Sequence, residues 1–170
     1  MIKKILLSLG VLLVPGLALA GGHGADLQMS DGVGVSFWII SIAMVASTVF
    51  FILERDKVSA KWKTSLSVAA LVTLIAAVHY FYMRDVWVAS GDSPTVFRYI
   101  DWLLTVPLQM VEFYLILAAV TAVSVGVFWR LLIGTLVMLF GGFAGEAGNM
   151  SHMTGFIIGM NGWIYILYEI

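Results

Sequence analysis

Arg98, Asp101, Thr105, Gln109 and Glu112 recur at intervals of three or four residues in an otherwise apolar stretch. On an α-helix, at about 100° per residue, the five side chains fall within an arc of about 80°. The other faces carry Leu103, Leu104, Val106, Leu108, Val111 and Phe113. Asp101 and Glu112 are then about 16 Å apart along the axis, a spacing suited to stepwise proton transfer. Arg98, one turn from Asp101, favours its ionised form. Glu112 has Phe113 and leucines around it and no basic neighbour, so loss of water favours its protonated form. A charged acceptor and a neutral donor at different depths are what a proton carrier requires. His79, in Ala76-Ala77-Val78-His79-Tyr80, is a third titrating group that could meet Asp101 at similar depth. Plainer roles stay open: Thr105 as hydrogen-bonding glue between helices, and His79 as a histidine satisfied inside a bundle.

These residues need a scaffold, and the composition says where it sits. Of 170 residues, 61% are hydrophobic and 11% charged, with mean hydropathy +1.02. A soluble domain has about 25% charged residues, so lipid is the implied solvent. A span needs about 20 apolar residues. Five segments qualify: 35–53, 64–83, 96–119, 127–143 and one beginning near Met153 that is still apolar at Ile170. Residues 84–93, with Gly91 and alternating Val and Trp, read as a loop or short hairpin. The expected fold is all-α, five transmembrane helices in one domain over residues 21–170. The polar arc must face the bundle, because a carboxylate facing lipid costs several kcal/mol. Pro107 frees a carbonyl within that helix and permits a kink.

Residues 1–20 read as a signal peptide: Lys3 and Lys4, an apolar run, then Ala18-Leu19-Ala20 before Gly21-Gly22. Arg55, Lys57, Lys61 and Lys63 between the first two spans, and Arg130 after the third, mark those loops as cytoplasmic. The mature amino terminus is therefore expected outside a bacterial inner membrane. Net charge −1 argues against a nucleic-acid partner. The absence of cysteine removes disulfides and thiolate sites. His23, His79 and His152 share no metal-ligand spacing, so no metal site is expected.

The string Phe97-Arg98-Tyr99-Ile100-Asp101-Trp102-Leu103-Leu104-Thr105-Val106-Pro107 resembles the third-helix signature of microbial rhodopsins. With Glu112, His79 and residues 54–63 the resemblance narrows to proteorhodopsins, over the whole chain, and Gln109 points to the blue-absorbing type. It implies an ion transporter rather than an enzyme: a light-driven outward proton pump, a photoreceptor carrying all-trans retinal on a lysine Schiff base. Asp101 matches the counterion and primary acceptor, Arg98 the arginine that helps set its charge, His79 the acceptor's histidine partner and Glu112 the proton donor. Trp102 matches a tryptophan against the polyene, and Thr105 a position near its attachment. Gln109 matches the spectral-tuning position, where glutamine goes with blue absorption. Met138 and Trp163 would line the same pocket, although packing is the default role for both. Trp38 and Glu54 to Asp56 match positions used between protomers of a ring-shaped homo-oligomer. The resemblance also implies seven helices with the lysine on the seventh. The lysines here are Lys3, Lys4, Lys57, Lys61 and Lys63, none inside a span. The expectation is a fragment lacking the last two helices. A sensory rhodopsin signalling through a partner, or a membrane module without chromophore, are the other readings. Glu112 speaks against the sensor, which needs no fast reprotonation.

Overall fold

The computed structural model describes residues 28–170, and the expected signal peptide lies outside them. Five helices follow one another: α1 Gly32–Glu54, α2 Ala60–Ser90, α3 Thr95–Val120, α4 Val125–Glu146 and α5 His152–Glu169. The first four are long and apolar enough to cross a membrane. With 18 residues, α5 is the shortest; it spans about 27 Å at 1.5 Å per residue.

The sequence explains the ends. Asp31 caps α1, its Oδ1 accepting the Gly34 N–H at 2.9 Å, and Ser151 caps α5 by accepting the Thr154 N–H at 3.1 Å. Each satisfies a donor that the first turn leaves without a helical partner. Gly91, at φ +70°, ends α2, its N–H donating to Trp87 O at 2.7 Å in the left-handed position that glycine adopts without strain.

Residues 84–90 are not a loop or hairpin: α2 continues through them. Three side chains anchor the extension. The Trp87 indole donates to Asp31 Oδ1 at 3.1 Å, Arg84 lies 5.4 Å above the Trp38 ring, and Trp38 meets Phe81 edge to face. These contacts hold in a helix the β-branched and aromatic residues whose intrinsic helix propensity is modest.

Packing is sequential: the substantial contacts are α1 with α2, α2 with α3, α3 with α4, and α4 with α5. In mid-span, the α1–α2 pair shares a hydrogen bond between the hydroxyls of Thr48 and Thr73, 2.8 Å apart. The α4–α5 pair is built on small residues. A Cβ on Gly155 would fall 2.6 Å from Gly145 Cα, and one on Gly162 would fall 2.7 Å from Gly134 O. Gly141 and Gly145 on α4 thus face Gly155 and Gly159 on α5, a small-residue seam that lets two backbones touch where lipid offers no hydrophobic driving force.

Candidate functional site

Helix α3 turns its polar arc inward, but not uniformly. Asp101 and Thr105 are buried, Glu112 is partly buried and Gln109 is exposed. The Thr105 hydroxyl donates to the Asp101 backbone carbonyl at 2.9 Å, so it braces the helix and leaves the carboxyl alone. From α2, His79 Nδ1 approaches Asp101 Oδ1 to 3.5 Å while lying 3.0 Å from Ile75 O. The expected meeting of His79 and Asp101 is therefore present. Asp101 Oδ1 itself is buried without a hydrogen-bond partner.

Arg98 does not pair with Asp101. Its guanidinium turns toward the α2–α3 turn, where Nη2 pairs with Glu146 Oε1 at the end of α4 and Nη1 donates to Ser93 Oγ at 2.8 Å. Its planar face lies 5.3 Å from the Trp102 ring. Thr95 donates to the same Glu146 oxygen at 3.1 Å, and Tyr99 hydrogen-bonds Glu146 as well. A bidentate-capable guanidinium prefers a carboxylate that it can reach with its fork, and Glu146 supplies one. Glu146 carries no signal in the local sequence, since its partner lies 48 residues away on another helix.

Beside this cluster, α3, α4 and α5 enclose an open cavity of about 560 Å³. Trp102 and Val106 line it from α3, Met138 and Gly142 from α4, Phe156 and Trp163 from α5. Of the residues expected around a chromophore, Trp102, Met138 and Trp163 are here, whereas Thr105 and Gln109 are not in its wall. Gly155 and Gly159 also border it, so the glycine seam that joins α4 to α5 also shapes the cavity. Among the described residues no cluster of His, Asp or Glu could hold a metal ion.

A multi-pass helical array with a buried carboxylate, a histidine beside it and an aromatic-lined cavity between α3, α4 and α5 is the architecture of a retinal-protein scaffold. The chain belongs to the bacteriorhodopsin-like protein family, whose model matches residues 31–170. It is 62% identical over 168 residues to the blue-light absorbing proteorhodopsin of Gamma-proteobacterium Hot 75m4, covering 98% of this chain and 66% of that protein. To the green-light absorbing proteorhodopsin of Gamma-proteobacterium EBAC31A08 it is 60% identical over the same coverage. Its fold superposes on the crystal structure of the blue light-absorbing proteorhodopsin from Med12 with a TM-score of 0.74 at 59% identity, covering 82% of this chain and 66% of that one. The chain thus spans about two thirds of the length of these relatives.

Rhodopsins of this family bind retinal. The aromatic and apolar side chains that line the cavity suit an elongated apolar polyene; Asp101, whose Oδ1 is buried without a hydrogen-bond partner, lies outside that lining. Covalent attachment is another matter. The lysines among the described residues, Lys57, Lys61 and Lys63, lie in the α1–α2 loop or the first turn of α2, away from the cavity wall.

Proposed function

We propose that this chain carries the proton path and part of the chromophore wall of a light-driven outward proton pump of the bacterial inner membrane. The observation that carries the reading is Asp101, buried beside His79 with an oxygen left unpartnered, on the same helix as Glu112. Retinal, when bound, supplies the light-driven change that moves charge near Asp101. Trp102, Met138 and Trp163 would hold its polyene. Asp101 accepts a proton, His79 holds the carboxyl in place, and Glu112 returns a proton from the side of the α1–α2 and α3–α4 loops. The Lys/Arg bias of those loops supports placing them in the cytoplasm. Gln109, at the position that the resemblance links to blue absorption, would tune the colour from outside the cavity wall described above. Trp38 and residues 54–56 contribute to a homo-oligomer, although Trp38 already holds Arg84 within the protomer.

The test is acidification of the medium on illuminating cells that express the full-length gene with added retinal. Acidification that disappears in Asp101→Asn supports the pump; its absence in the unaltered protein refutes it. A sensor would instead give a slow photocycle indifferent to Glu112→Gln.

A further inference from the structure

The cavity beside Trp102 has a neighbour. A groove of about 450 Å³ runs between α3 and α4, walled only by Val, Ile, Leu, Phe and Tyr side chains. That volume falls within the roughly 300–1,000 Å³ of small-molecule sites. Tyr99 and Leu139 line both spaces. At about 100° per residue, Ile100 and Leu103 of the groove and Trp102 and Val106 of the cavity fall on opposite sides of Tyr99. Groove and cavity are therefore two chambers with one partition. Ile100, Leu103, Leu136 and Phe140 of the groove are exposed, on helices long and apolar enough to cross a membrane. Its mouth opens on lipid.

The two halves of the partition differ. Tyr99 is fixed: its hydroxyl bonds Glu146, and its ring meets Trp102 and Phe143 edge to face, with centroids 5.0 and 5.1 Å away. Leu139 is buried but has no polar group to tie it. Two further features let α3 and α4 part at this point. Theirs is the sparsest of the four sequential helix contacts, whereas the glycine seam closes α4 against α5. Pro107 lies inside α3 and leaves the Leu103 carbonyl without its helical donor, a point at which a helix bends.

We propose that the α3–α4 groove is a second, non-covalent binding site for retinal, a vestibule between the bilayer and the cavity with Leu139 as its inner door. The proposal rests on the retinal reading. An apolar polyene has no cheap path through water, and the shared partition makes the groove continuous with the cavity that suits it.

Two measurements test this. The first uses the 170-residue chain in lipid nanodiscs, with leucine methyl groups followed by ¹³C NMR as all-trans-retinol is added. Retinol lacks the aldehyde and so cannot react with a lysine. The Leu103 and Leu136 signals shift together with Leu139, while Leu53 and Leu71, exposed on α1 and α2, stay in place. A shift of Leu139 alone means entry through the open side of the cavity and overturns the vestibule. Equal shifts at Leu53 and Leu71 mean retinol dissolved in lipid and overturn it too. The second uses the full-length gene product, made without retinal and placed in vesicles, and times colour formation after retinal is added. Leu136→Trp and Leu103→Trp, which fill the groove, each slow it at least fivefold, whereas Leu53→Trp does not. Rates unmoved by both groove variants, or slowed equally by Leu53→Trp, refute the vestibule alone. No colour from the unaltered protein refutes the retinal reading and the vestibule with it.

Discussion

Replacing Gly155 by alanine puts a methyl group where α4 leaves no room. The added Cβ would sit 2.6 Å from Gly145 Cα, 2.7 Å from Gly141 O and 3.0 Å from Gly145 N. All three are backbone atoms, so no side chain can rotate away, and α5 must retreat by about 0.8 Å to restore ordinary contact. Overpacking of this kind costs about 1–3 kcal/mol. Alanine's better helix propensity returns up to about 1 kcal/mol, leaving a net loss of about 1–2 kcal/mol, roughly tenfold in the α4–α5 docking equilibrium. The chain has no cysteine, so one introduced pair, on α4 and α5, takes a fluorescent donor and acceptor without background. Sodium dodecyl sulfate titration in mixed micelles then gives the undocking midpoint. Gly32→Ala, where a Cβ meets nothing within 4 Å, reports what alanine does without crowding. A Gly155→Ala midpoint at or above that of the unaltered chain would show that the two backbones are not in contact.

Three further outcomes are expected. Thr48→Val removes the 2.8 Å link to Thr73, but Thr73 keeps Ala69 O as an acceptor. The same titration, labelled on α1 and α2, should show a loss of about 0.6 kcal/mol, and one above about 2 kcal/mol would contradict an isolated pair. Asp31 is held below the usual carboxylate range, chiefly by the Gly34 N–H and less by the Trp87 indole. Its stabilisation of the α1 end is therefore full above about pH 4 and lost as pH falls through the lowered folded value. The protection factor of the Gly34 amide should fall on acidification in the unaltered chain and show no such step in Asp31→Asn. His79 Nδ1 faces two oxygens that only accept, Ile75 O at 3.0 Å and the Asp101 carboxylate at 3.5 Å. The neutral ring must therefore carry its hydrogen on Nδ1, and ¹⁵N NMR showing a bare Nδ1 would refute that placement.

The helix plan was legible because hydropathy and punctuation agree: apolar runs bounded by Glu54-Arg55-Asp56-Lys57, Gly91-Asp92 and Pro94 leave few alternatives. The inward position of Asp101 was legible from helical spacing alone. The failures have a common physical cause. Residues 84–90 look like a turn region in isolation, and contacts from Asp31 and Trp38 on α1 keep them helical. Arg98 looks like the partner of Asp101, its near neighbour in sequence, until α4 brings Glu146 to it. Gly141 and Gly145 are poor helix formers taken alone, yet against Gly155 and Gly159 they form a close backbone seam. Local chemistry fixed what depends on one helix, and neighbouring helices fixed the rest.

The sequential packing of the five helices also bears on how the protein is made. Each helix after the first packs against the one just before it, so a segment leaving the ribosome meets a surface already in the bilayer. Nothing in the order α1 to α5 must wait for a distant stretch of chain, and such low contact order favours fast, stepwise assembly. Biogenesis can then proceed as a series of additions at one growing edge, with the cavity beside Trp102 shaped only when the glycine face of α5 arrives.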